Sequence, residues 1–110
     1  MNTFNLDVVA REQLRKASAS GNGRGAETVY GGQNTSLRHT VVALTAGTSL
    51  SEHQNPGEAT VLVLEGRVRI DAAEESREGG KGELLVVPKA AHSLEALTDA
   101  TVLLTVVKQL

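Results

Sequence analysis

GTSLSEHQNPGEATVLVLEG, residues Gly47 to Gly66, is the stretch whose reading decides the fold. A glycine opens it, a polar run with one histidine follows, and a Pro-Gly turn leads into an apolar run closed by a second glycine. Proline presets φ and glycine accepts a positive φ, so Asn55-Pro56-Gly57 predicts a tight reversal between two strands. If Ser49 to Asn55 is extended, its side chains alternate. Ser51, His53 and Asn55 then share one face, and Leu50, Glu52 and Gln54 the other. The return strand, ATVLVL, is apolar on both faces.

Upstream, Asp7 to Ala17 (DVVAREQLRKA) reads as a short helix capped by Asp7. Leu6, Val9, Ala10 and Leu14 form its apolar stripe, while Arg11, Arg15 and Lys16 face out. Ser18 to Gly25 is a flexible connector in which Arg24 is a solvated loop arginine. From Ala26 the period switches to two. AETVY is a strand, GGQNTS a turn, and LRHTVVALTA a longer strand ending at Gly47. Alternation there groups Leu37, His39, Val41 and Ala43 on the inward face, with Arg38 turned toward water. The expected division is therefore residues 1–25 as helix and connector, and 26–110 as the β domain.

Downstream, Glu65-Gly66 turns the chain into RVRI, with Val68 and Ile70 in and the arginines out. DAAEESREGGKG reads as a solvated hairpin tip. GELLVVP is a strand apolar on both faces and stopped by Pro88. In HSLEAL, His92, Leu94 and Ala96 share a side, and TVLLTVV closes the chain. Many short strands at regular spacing, joined by Gly, Pro and Asp turns, predict an all-β antiparallel sandwich or barrel.

Composition narrows the functions. The chain has 110 residues, no cysteine and a formal charge of −2 with interspersed signs. Disulfides, thiolate metal sites and a cysteine nucleophile are excluded. No basic cluster is available to neutralise phosphates, which argues against direct nucleic-acid binding. Nor is there an apolar run of membrane-spanning length or a basic start followed by an apolar block. A cytoplasmic protein is expected. The only aromatic residues, Phe4 and Tyr30, leave few stacking platforms.

The spacing resembles the cupin family, whose first motif is G(X)5HXH(X)3-4E(X)6G and second is G(X)5PXG(X)2H(X)3N. Gly47, His53 and Gly66 fit the first, and Gly82 and Pro88 fit the second, with His92 one residue early. The resemblance covers about residues 37–107. It implies an antiparallel jelly-roll barrel with a site inside. In such proteins two histidines and a glutamate of the first motif join the histidine of the second on one divalent metal, of the Fe, Mn, Ni, Cu or Zn kind. Carried over, His53 and His92 stand as ligands, Asn55 replaces the second histidine, and Ala59 replaces the glutamate. A third ligand would have to be His39, Asn55, or Glu58, which alternation turns away unless a bulge shifts the register.

Two imidazoles alone seldom retain a metal. The favoured expectation is a small-molecule-binding protein whose pocket holds His53, Asn55, His92, His39 and Ser51 as hydrogen-bonding groups beside a degenerate metal site. One alternative is a metal-dependent enzyme, a dioxygenase or isomerase, using His53, His92 and a third ligand. Absence of cysteine disfavours a thiol dioxygenase. Another alternative is a metabolite-sensing regulatory or scaffold domain acting through a partner chain. Strands apolar on both faces further predict a homodimer that covers an outer sheet face.

Overall fold

The computed structural model describes residues 1–52 and 57–108. Its elements are α1 (Leu6–Ala19), β1 (Arg24–Tyr30), β2 (Leu37–Leu44), β3 (Ser49–Glu52) and β4 (Gly57–Glu65). They continue with β5 (Arg67–Ala72), β6 (Ser76–Gly80), β7 (Leu84–Val86), β8 (His92–Ala96) and β9 (Ala100–Lys108). Every pairing is antiparallel. One sheet runs β1-β2-β9-β4-β7 and the other β3-β8-β5-β6. Together they are the two walls of a jelly-roll barrel.

Alternation along each strand supplies the core. Val42 and Leu44, Val61 and Val63, Val68 and Ile70, Leu94 and Ala96, and Ala100 and Val102 meet in one buried cluster between the sheets. Leu50, Leu85, Leu104 and Val106 pack along its border. Removing such a side chain from water contributes roughly 1.5–3 kcal/mol, which is what drives two thin sheets together.

The helix forms a third layer, packed on the outside of β1, β2 and β9. Its N-cap is Asn5, not Asp7: Asn5 Oδ1 accepts the Val8 N–H at 3.1 Å, and Asp7 sits in the first turn. A carboxylate there faces the positive end of the helix dipole. Ala10, Gln13 and Ala17 are buried, and small side chains at two of these positions let the helix come close. Helix and sheet come close at Gly25, where a Cβ would collide with the carbonyl of Gln13. Gln13 Nε2 then donates to Glu27 Oε1 at 3.3 Å.

Two segments differ from the sequence reading. β1 begins at Arg24, whose guanidinium donates to the Ser49 carbonyl at 2.9 Å and so links the β1 edge to the β3 edge. The charged run after Asp71 contains β6, paired along β5 with Glu78 opposite Arg69. A register shift between Thr28 and Tyr30 puts a bulge in β1. No helix among the described residues is long and apolar enough to cross a membrane.

Candidate ligand-binding pocket

Both walls of the barrel contribute strand ends to the mouth at which β3 leaves and β4 enters. β3 leaves at Glu52 and β4 enters at Gly57, so the strand ends paired with them border the same mouth. On the small sheet these are His92, opposite Glu52, and Ala72, opposite His92. On the large sheet they are Lys108, opposite Gly57, and Val106, which stands opposite both Ala59 and Arg38.

His92 lies on the side of β8 that carries the buried Leu94 and Ala96, and it is half-buried. Its Nδ1 is 2.9 Å from the Ala90 carbonyl oxygen. A carbonyl only accepts, so Nδ1 carries the proton and Nε2 of the neutral ring is left as an acceptor. The strand beneath is held rigid from outside. Arg69 donates to Asp71 at 2.9 Å and to Glu95 at 3.1 Å, and Ser76 Oγ donates to Asp71 at 2.6 Å. The Ser76 hydroxyl, and then Arg69, hold the Asp71 carboxyl below its ordinary range. Between the edges of β6 and β7 a side cavity of about 310 Å³ reaches Ile70, Ala72, Leu85 and Pro88.

His39 is not in the barrel. Its neighbours Val42 and Leu44 belong to the core, so the odd residues of β2 look outward. His39 Nδ1 lies 2.9 Å from Thr105 Oγ1. The ring borders an apolar groove of about 610 Å³ under the N-terminal segment, with Phe4, Leu6, Tyr30 and Leu103. The inward reading of His39 is therefore corrected, and so is the outward reading of Arg38, which occupies the inner face with Thr40. Four consecutive buried residues, Val41 to Leu44, explain the error. The helix covers the outside as the core covers the inside, and such a run carries no phase.

Ser51 is also corrected. Leu50 packs against the core, which turns the exposed Ser51 outward beside Ser93. Glu58 is exposed on the outer face of β4, while Ala59, Val61 and Val63 point in. His53 and Asn55 lie outside the described residues. Of the proposed ligands, His92 is thus the one that the described residues bring to the interior. Among the described residues no group of three or more His, Asp or Glu side chains converges on a point that would hold a metal ion. A single imidazole does not make a donor set for a divalent ion, which takes three or four ligands.

A model of the cupin-domain family matches residues 40–108. A conserved protein of unknown function from Streptococcus pyogenes is 29% identical, with a TM-score of 0.72 over 83% of this chain and 79% of that one. An RmlC-like cupin protein from Desulfovibrio desulfuricans is 27% identical, with a TM-score of 0.64 over 76% and 81%. An acetylacetone dioxygenase from Acinetobacter johnsonii is 13% identical, with a TM-score of 0.67 over 78% of this chain and 60% of that one, a likeness of fold alone. No curated protein matches.

Proposed function

For a chain that belongs to the cupin family, with a polar mouth above an apolar interior, we propose the binding of a small molecule inside the barrel, without a firmly held metal. The observation that carries this reading is the position of His92, on the inner face with Nε2 unengaged among the described residues. A cavity with a few convergent polar groups on apolar walls is the usual form of a ligand site.

Compounds found by thermal-shift screening should lose about tenfold in affinity in His92→Ala, the worth of one buried hydrogen bond. Equal binding by the variant would remove His92 from the site. The enzyme reading is tested separately, by incubating the purified protein with Fe, Mn, Ni, Cu or Zn and measuring the metal retained. Stoichiometric metal would replace the metal-free proposal with a metal-dependent one, for which the dioxygenase of the same fold is a precedent.

The proposal includes a homodimer of a cytoplasmic protein. Outside the area covered by the helix, the large sheet presents Leu62, Leu84, Val86, Leu103 and Val107. Leu84 and Val86 are 59% and 77% exposed. None of these residues is charged. Glu58 stands on the same outer face, opposite Val107 at the end of the patch, and a two-fold axis through the apolar remainder sets that remainder against a copy of itself.

A further inference from the structure

We propose that the barrel mouth recognises a small aliphatic carboxylate through Arg38, with Lys108 as a second cation. This rests on the reading of the interior as the ligand site. Arg38, Thr40, Val42 and Leu44 share the inner face of β2, and the last two are core residues. Across the strand pair Val106 stands opposite Arg38. Alternation along β9 from Ala100, Val102, Leu104 and Val106 brings Lys108 to the same face, one diagonal step away.

What sets Arg38 apart is its place on the inner face, since Arg11, Lys16, Arg24, Arg77 and Lys89 likewise form no ion pair among the described residues. Arg15, Arg67, Arg69 and Lys81 each meet a carboxylate within 2.6–3.1 Å. Arg38 is half-buried and meets none among the described residues. The inner faces of β1, β2, β4 and β9 carry no carboxylate, because Glu58 points outward and Glu27 lies under the helix. Two cations at diagonal positions of a strand pair repel, and the repulsion is relieved when an anion lies between them. A guanidinium offers two parallel N–H groups, which match the two oxygens of a carboxylate. Nearby, Thr40 Oγ1 is 3.2 Å from Thr28 Oγ1 and adds a neutral polar partner. On the opposite wall, His92 Nε2 would accept a hydroxyl proton from the same ligand.

The test uses two probes of nearly one shape, 3-hydroxybutyrate and its neutral amide, titrated into the isotopically labelled protein while backbone amide signals are followed. The carboxylate should shift the Arg38 and His92 signals saturably. The amide should bind about tenfold more weakly, as expected for loss of a charge-assisted pair. Arg38→Gln should abolish that preference, and Lys108→Gln should reduce it. If both probes bind alike, or if Arg38→Gln keeps the preference, the carboxylate assignment falls and the pocket stands. If neither probe moves the Arg38 or His92 signals, both fall. Should Arg38→Gln fail to fold, the wild-type comparison of the two probes and the Lys108→Gln titration decide the matter.

Discussion

Gly66 turns the chain from β4 into β5 with φ at +79°, and a Cβ there would collide with the backbone of Asp99 and Ala100. Strain in the left-handed region and the collision act together. Gly66→Ala should therefore lower unfolding stability by about 1–3 kcal/mol, read from urea melts. An unchanged midpoint would mean that the turn relaxes freely. Asp71 gives a pH dependence. Its carboxyl is depressed by Ser76 and then by Arg69, so its contribution is present above the unfolded-state value and lost as pH falls through the folded one. Melting temperature should fall on acidification below the carboxylate range, and Asp71→Asn should make that fall shallower. An identical acid profile in the variant would show that other carboxylates carry it.

At the scale of elements, the helix rests on its cap and on its seat at Gly25. Replacing Asn5 by Ala removes the acceptor for the Val8 amide and should cost about 1 kcal/mol, seen as faster amide exchange in the first turn. Protection unchanged at Val8 would show that the Asn5 side chain is not what holds that amide. The apolar stripe Leu6, Val9, Ala10 and Leu14 made this helix legible, but Gln13 was not, since nothing local announces that a glutamine is buried against Glu27. The barrel was legible in the turn glycines Gly47, Gly66 and Gly82, all of which have positive φ. β6 escaped because SREGG has no β-branched or aromatic residue, and its pairing is made by the neighbouring strand. For the site, alternation with Leu94 and Ala96 gave the side on which His92 stands. It misled at His39 and Arg38, where a doubly covered strand hides its phase, and at Ser51, where Leu50 was the better guide.

For the whole molecule, a helix covers only part of the large sheet's outer face. If a second copy covers the rest, Val86→Lys should convert a dimer into monomers in light scattering while leaving the circular dichroism spectrum intact. A wild-type protein that is monomeric at micromolar concentration would refute the homodimer. The strand order also exposes four backbone rims, at β1, β7, β3 and β6. Each is blunted in its own way: a bulge in β1, three residues in β7, four in β3, and adjacent Arg77 and Glu78 in β6. Such devices deny an incoming strand a straight template. Growth into fibrils along a rim is thereby discouraged, and in the proposed dimer association is left to the broad sheet surface, where it would end once two copies have met.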